Sequence, residues 1–143
     1  MTHINRSAIV PFSAEKMFAL VDDISSYPSF LPWCKSTKIY SRDDNEVKAS
    51  IEMSKAGIQK SFTTWNQNYQ FNSIELNLVE GPFKSLKGCW KFEELKPNAC
   101  KISLEIDFEF SSKILSATVG PVFSQICNTL VNSFVSRAKE VYG

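Results

Sequence analysis

The strongest constraint on the fold is an alternation of apolar and polar residues late in the chain, followed at once by a helical pattern. From Lys101 to Phe110 every even position is Ile, Leu or Phe, and every odd position is Lys, Ser, Glu or Asp. Period two is typical of a strand with one dry and one wet face. From Ser112 to Tyr142 apolar residues recur every three or four positions, which predicts a helix of roughly 30 residues. This helix is the only predicted element long enough to cover the dry face.

Patterning and turn residues predict six further strands and two short helices. Ser13 can cap a helix from Ala14 to Asp22, and a second helical turn at 24–29 ends near Pro28 and Pro32. Gly120-Pro121 should kink the C-terminal helix or divide it into a short helix and a main one. The predicted strands are 2–10, 34–42, 46–55, 58–68, 73–80, 85–95 and 100–110.

This order predicts an α+β fold of the helix-grip type. A curved seven-stranded antiparallel sheet would wrap around the long C-terminal helix, with the two short helices between strands 1 and 2. The Pro and Gly residues lie at turns and no repeat is visible, so we expect one domain over residues 1–143. Such a grip can leave an apolar cavity at its open end, although the same side chains could equally fill a solid core.

The last hairpin also allows a register to be predicted. Apolar residues face apolar residues across the Pro97-Asn98 turn only if paired residue numbers sum to an even number. A sum near 196 would set Trp90 opposite Ile106 and Phe92 opposite Leu104. It would also pair Lys91 with Glu105, although exposed ion pairs add at most about 1 kcal/mol.

Composition excludes several classes of function. The chain of 143 residues carries 16 basic and 15 acidic residues, so a partner such as DNA would need a local basic patch, and we expect no DNA partner. His3 is the only histidine, which removes the usual general base and most metal sites. The four cysteines have no paired spacing and are predicted to be reduced thiols.

Neither a membrane span nor a targeting signal is visible, so we expect a bacterial cytoplasmic protein.

Four segments together resemble a known family. They are YPSFLPWCK at 27–35, GPFKSLKGCWKF at 81–92, DFEF at 107–110 and FVSRAKEVYG at 134–143. In this order they resemble the coenzyme Q-binding branch of the START-like, polyketide cyclase-related superfamily. That branch includes mitochondrial coenzyme Q-binding proteins and bacterial ribosome association toxins. The chain begins directly at its first strand and so looks more like the bacterial members.

The resemblance implies a non-enzymatic protein that binds ubiquinone or another prenylquinone in the cavity. It implies no required cofactor, and it allows transient contact with the inner membrane. Residues 30–34 would form the cavity rim or a plug that anchors the loop. Lys35 would donate to a quinone oxygen or be solvated, and Phe83, in a turn at 81–84, would close the mouth or tuck under the helix. The candidate ligand-binding residues are Phe30, Leu31, Pro32, Trp33, Lys35, Phe62, Leu76, Phe83, Trp90, Phe92, Leu104, Ile106, Phe123, Ile126, Leu130 and Phe134.

The alternative implied by the resemblance is a toxin that binds the large ribosomal subunit and blocks subunit joining. Residues 82–101 hold five lysines against Glu93 and Glu94, a local charge of +3. Lys84, Lys87 and Lys91 could contact ribosomal RNA phosphates there, or be ordinary surface charge. A third interpretation is an enzyme of the cyclase or dehydrase type. The side chains predicted to face inward are nearly all apolar, so the sequence indicates no acid/base mechanism.

Overall fold

The computed structural model describes residues 1–143 and confirms the predicted fold class, a seven-stranded antiparallel sheet with a long C-terminal helix. A 3-10 helix, Ile24–Ser29, follows the first α-helix. The strands are β1 (Thr2–Val10), β2 (Cys34–Arg42), β3 (Glu46–Lys55), β4 (Ile58–Tyr69), β5 (Ser73–Glu80), β6 (Phe83–Lys96) and β7 (Ala99–Phe110). The α-helices are α1 (Ala14–Asp22), α2 (Lys113–Thr118) and α3 (Gly120–Tyr142).

The sheet runs in the order β1-β7-β6-β5-β4-β3-β2. Strands β2 to β7 are joined in sequence by hairpins, and β1 pairs with β7 at one end. Strand β2 is therefore the other edge of the sheet. One face of the sheet carries the buried side chains and meets α3, and the opposite face carries the exposed ones.

The predicted cap of α1 is present. The Ser13 hydroxyl accepts a hydrogen bond from the Lys16 backbone N–H at 3.2 Å. Helix α1 buries Met17, Phe18 and Val21. The Tyr142 hydroxyl donates to the Lys16 carbonyl at 3.0 Å, so the end of α3 is tied to α1.

The register prediction for the β6–β7 hairpin had the right parity and the wrong offset. Trp90 lies opposite Leu104, Phe92 opposite Ile102 and Lys91 opposite Ser103, so the paired numbers sum to 194. The tight turn pairs Lys96 with Ala99, whose odd sum would set apolar residues against polar ones. A bulge between Glu94 and Lys96 restores the even parity at a sum of 194, so each residue of β6 lies opposite a residue of β7 two positions earlier than predicted.

The assignment of Phe83 to a turn was also wrong. Phe83 is the first residue of β6 and lies opposite Phe110. Its ring stacks on that of Phe110 at a centroid distance of 4.8 Å. This contact extends the hairpin by two residues beyond the predicted start at 85, because burying two facing rings favours continued pairing.

The C-terminal helix divides where Gly120-Pro121 predicted a kink or a break. Val119 separates α2 from α3, and Pro121 occupies the first turn of α3, where its missing N–H costs no hydrogen bond. Helix α3 buries Phe123, Ile126 and Phe134 toward the sheet. The helix thus covers the dry face as predicted.

Candidate functional site

A small cavity lies between the inner face of the sheet and α3. Its volume is about 80 Å³, and 17 of its 19 lining residues are hydrophobic. Strands β3 to β7, α3, the 3-10 helix and the residue before β2 all contribute to its wall. The lining residues are Ile24, Tyr27, Trp33, Ala49, Ile51, Met53, Phe62, Thr64, Asn66, Leu76, Leu86, Trp90, Leu104, Ile106, Phe123, Ile126, Cys127, Leu130 and Phe134.

The size of this cavity limits what it can hold. An engineered cavity of about 150 Å³ is enough for benzene. Pockets for drug-sized ligands measure about 300–1,000 Å³. At about 80 Å³ the cavity is smaller than an aromatic ring requires, so a larger ligand must move part of the wall.

The only polar lining residues, Thr64 and Asn66, are neighbours on the inner face of β4. The Thr64 hydroxyl donates to the Asn66 Oδ1 at 2.8 Å. Asn66 is 6% exposed, and this is the one side-chain hydrogen bond that it makes. Its amide N–H groups therefore form the polar spot in an otherwise apolar wall.

The titratable groups of the wall are Tyr27 and Cys127. Burial raises the pKa of the Tyr27 hydroxyl far above its usual range, and this hydroxyl donates to the Val21 carbonyl. Burial raises the pKa of the Cys127 thiol to about 12. Both groups are therefore neutral at physiological pH.

Ten of the sixteen candidate ligand-binding residues line the cavity. Of the other six, Leu31 and Phe92 are core residues, and Pro32 and Lys35 are exposed. Phe83 packs within a cluster of phenylalanine rings that includes Phe110 and Phe123. The ten that line the cavity are Trp33, Phe62, Leu76, Trp90, Leu104, Ile106, Phe123, Ile126, Leu130 and Phe134.

Phe30, the sixth residue outside the wall, packs behind the wall residue Phe134. Its ring packs edge-on against that of Phe134 at a centroid distance of 5.5 Å, and the Arg137 guanidinium lies over the Phe30 ring, 5.0 Å from its centroid. Phe30 is half-buried. It therefore covers a wall residue and is itself partly open to solvent.

Sequence reasoning missed nine wall residues, and one signal could have found several of them. Phe62 was predicted, and alternation along β4 places Thr64 and Asn66 on the same face as Phe62. The same alternation along β3 relates Ala49 to Met53. The nine are Ile24, Tyr27, Ala49, Ile51, Met53, Thr64, Asn66, Leu86 and Cys127.

A polar cluster fixes the end of α1 to the sheet beside the cavity. The Arg42 guanidinium donates to both carboxylate oxygens of Asp22 at 3.1 Å. The Asn68 amide donates to the same carboxylate at 2.9 Å, and Asn68 Oδ1 is buried without a hydrogen-bond partner. Residues of α1, β2 and β4 are joined here, which holds the start of the 3-10 helix against the cavity.

The predicted ribosome-contact lysines lie on the exposed side of the β6–β7 hairpin. Lys84 Nζ is 3.9 Å from a Glu109 carboxylate oxygen. Lys87 lies directly opposite Asp107, whereas Lys91 lies opposite Ser103. Carboxylates on β7 thus accompany two of the three lysines.

The described residues contain no group of three or more His, Cys, Asp or Glu side chains that could hold a metal ion. None of the helices is long and apolar enough to cross a membrane.

A family model described as polyketide cyclase/dehydrase and lipid transport matches residues 10–135. The chain belongs to this family. Within the family, it is 47% identical to the ribosome association toxin RatA of Vibrio cholerae over 143 residues, which cover 100% of this chain and 99% of that protein. It is 24% identical to the mitochondrial coenzyme Q-binding protein COQ10 homolog B of Xenopus laevis over 143 residues, 97% of this chain and 59% of that protein.

Two solved structures share the fold of this chain. The Zhui aromatase/cyclase from Streptomyces superposes with a TM-score of 0.84 at 14% identity, covering 96% of this chain and 93% of that one. A START superfamily protein from Mycobacterium smegmatis superposes with a TM-score of 0.82 at 19% identity, covering 97% and 98%. At such identities the likeness concerns the fold and not the chemistry.

Proposed function

We propose that this protein associates with the ribosome and inhibits translation by binding the large subunit and preventing it from joining the small one. The observation that carries the proposal is the 47% identity to a ribosome association toxin along the whole of both chains. The cavity supports the same choice, because at about 80 Å³ it is too small for the head group of a quinone without movement of its wall. A ribosome-binding protein needs a surface rather than a cavity.

A binding role without catalysis fits the chemistry of the cavity. Its wall presents two neutral titratable groups, Tyr27 and Cys127, with raised pKa values. The Tyr27 hydroxyl already donates to a backbone carbonyl. General acid/base catalysis at neutral pH instead requires a group whose pKa lies near 7.

Sedimentation of ribosomal subunits tests this proposal. Purified protein is added to dissociated subunits, magnesium is raised to allow rejoining, and the mixture is separated on a sucrose gradient. We expect the protein to sediment with the large subunit and the fraction of joined ribosomes to fall as protein is added. Protein that stays at the top of the gradient, with full rejoining, would contradict the proposal.

The hairpin lysines provide a first map of the contact. We expect the double variant Lys87→Gln/Lys91→Gln to bind the subunit more weakly and with a lower salt dependence, because two phosphate contacts are lost. The double variant Lys113→Gln/Lys139→Gln removes the same charge from the helices and should bind like the wild type. Equal weakening by both pairs would show that only net charge matters.

A second candidate function, favoured by the apolar wall, is binding of an apolar ligand such as ubiquinone or another prenylquinone. Burying one five-carbon isoprene unit contributes about 4 kcal/mol before the costs of association. Asn66 would face a carbonyl oxygen of the ligand. Mass spectrometry of an organic extract of natively purified protein tests this function, and repeated absence of a prenylquinone from protein made in quinone-replete cells would exclude it.

A further inference from the structure

Two aromatic side chains and two lysines lie together on the exposed face of the sheet, away from the cavity. Tyr40 on β2 is 51% exposed and Trp65 on β4 is 37% exposed. Lys48 on β3, between them, is the direct cross-strand partner of Trp65. We call Lys38, Tyr40, Lys48 and Trp65 the β2–β4 patch.

The two lysines of the patch converge on one ring. Lys38 Nζ lies 5.0 Å and Lys48 Nζ lies 5.7 Å from the centroid of the Tyr40 ring. Neither ammonium group has a carboxylate oxygen within 4.0 Å. Two unpaired cations at one ring repel each other, and an anion placed between them would remove that repulsion.

Hydrogen-bonding groups surround the patch. Lys38 lies opposite Ser50, whose hydroxyl donates to the Tyr40 hydroxyl at 3.4 Å. Asn77 on β5 lies opposite Trp65. Exposed aromatic rings set among hydroxyl, amide and ammonium groups suit a ligand that combines flat rings with phosphates.

Three carboxylates lie on the same face of the sheet, outside the patch. Glu46 and Glu75 face Gln67, one row further along the sheet from Trp65. The carboxylate of Glu52 accepts hydrogen bonds from Ser36 and Gln59 at 3.0 and 2.5 Å. None of these carboxylates forms an ion pair with Lys38 or Lys48, so both ammonium groups of the patch remain free to bind an anion.

The hairpin lysines continue the same face. Lys48, Trp65, Asn77 and Lys87 are successive cross-strand partners on β3, β4, β5 and β6. With about 4.8 Å between neighbouring strands, Trp65 and Lys87 lie about 10 Å apart. One exposed face thus carries both the patch and the lysines proposed above as ribosome contacts.

We propose that the β2–β4 patch binds single-stranded RNA, with an unpaired base stacked on Trp65 or Tyr40 and a phosphate held between Lys38 and Lys48. This inference rests on the proposed ribosome association and assigns a contact surface for it, an exposed single-stranded segment of ribosomal RNA. Stacking on an aromatic ring accepts any base, and the lysines supply the charge that the backbone requires.

An anionic membrane is the less suitable partner for this surface. Membrane contact uses a protruding apolar face that enters the bilayer beneath a belt of aromatic and basic residues. Tyr40 is contacted by lysine and serine side chains, and lysine and asparagine lie opposite Trp65. A face of this kind offers hydrogen bonds and little apolar area to insert.

Tryptophan fluorescence provides a direct test with RNA. Trp33 and Trp90 are 8% and 3% exposed, so Trp65 is the tryptophan that a bound base can reach. The probe is an unpaired oligouridine of about ten nucleotides. We expect it to quench the emission of the wild type, and we expect Trp65→Thr to weaken its binding at least about fivefold, measured by anisotropy of a labelled oligonucleotide.

Further variants separate stacking from charge. Trp65→Phe should retain part of the affinity, because it keeps a ring. Lys38→Gln/Lys48→Gln should lower the slope of log affinity against log salt by about 0.7, as expected when contact to one phosphate of a single strand is lost. Tyr69→Thr removes another exposed aromatic from the same face of β4 and should bind like the wild type.

Several results would overturn the proposal. These are no binding of the oligonucleotide by the wild type, equal binding by Trp65→Thr, or quenching of Trp65 by phosphatidylglycerol vesicles but not by RNA. Variants that lose RNA but still sediment with the large subunit like the wild type would overturn the assigned contact and leave ribosome association intact. RNA binding that depends on the patch, in a wild type that does not sediment with ribosomes, would support the patch and contradict the proposed function.

Discussion

The indole of Trp90 on β6 packs edge-on against the ring of Phe134 on α3, with centroids 5.3 Å apart and planes inclined by 82°. Phe134 is fully buried and also meets Tyr27 at a centroid distance of 5.5 Å. One side chain therefore connects α3, the sheet and the 3-10 helix. The same ring lines the cavity, so stability and the shape of the cavity depend on a common group.

Removing this ring should strongly destabilise the fold. We expect Phe134→Ala to lower the free energy of unfolding by about 3–5 kcal/mol, because it removes a large buried side chain and leaves a cavity. Urea denaturation followed by circular dichroism measures this change. Asn132→Ala, an exposed position on the same helix, should change stability by no more than about 0.5 kcal/mol. A loss below about 1 kcal/mol for Phe134→Ala would contradict the central packing role.

The cavity predicts opposite outcomes for two buried alanines. Ala49 is 2% exposed and lines the cavity, whereas Ala138 is fully buried in α3 and does not line it. We expect Ala49→Val to fill empty space and raise the free energy of unfolding by about 0.5–2 kcal/mol. Ala138→Val should overpack and lower it by about 1–3 kcal/mol. Destabilisation of equal size by both changes would mean that the space near Ala49 is not available to a side chain.

The titration of His3 should report its contact with β7. The hydrogen bond from the His3 ring to Asp107, at 2.5 Å, raises the pKa of His3 above 6.5. A raised pKa means that the contact stabilises the folded state below pH 6.5 and that this contribution is lost as pH rises through the folded-state pKa. Proton NMR can follow the single histidine without ambiguity, and Asp107→Asn should move its pKa back toward the ordinary value. A wild-type pKa below 6.5 would be inconsistent with the contact.

The four free thiols should differ in reactivity. Burial raises the pKa of Cys127 to about 12 and that of Cys34 to about 11. Cys89 is only half-buried. Since the thiolate is the reactive form, we expect iodoacetamide at pH 8 to label Cys89 first and Cys127 last, with all four reacting after unfolding. Peptide mass spectrometry over time gives the order, and early labelling of Cys127 in folded protein would show that the cavity opens readily.

Local patterns predicted the elements well because their causes are local. The cap at Ser13, the break at Gly120-Pro121 and the alternation along β7 each arise from neighbouring residues, and all three are present. Alternation also predicted which face of β6 and β7 is buried. It did not predict the offset between them, because the bulge near Leu95 adds a residue without changing any local pattern.

The sequence predicted the apolar character of the candidate site better than the full set of residues that line it. The alternation of apolar and polar residues predicted which residues of a strand face inward, and ten of the predicted residues line the cavity. The contribution of Tyr27 and Ile24 depends on the 3-10 helix folding back over the sheet. That placement is held by Asp22, Arg42 and Asn68, which lie far apart in the chain.

By itself, the amino-acid sequence determined the order and type of the elements, the buried face of each strand and the family, since these follow from short-range periodicity, turn residues and motifs. The tertiary structure alone decided the volume of the cavity and the meeting of Lys38, Tyr40, Lys48 and Trp65 on one surface. Both depend on how strands distant in the chain are paired and curved, and small shifts in that pairing decide whether side chains touch or leave a gap.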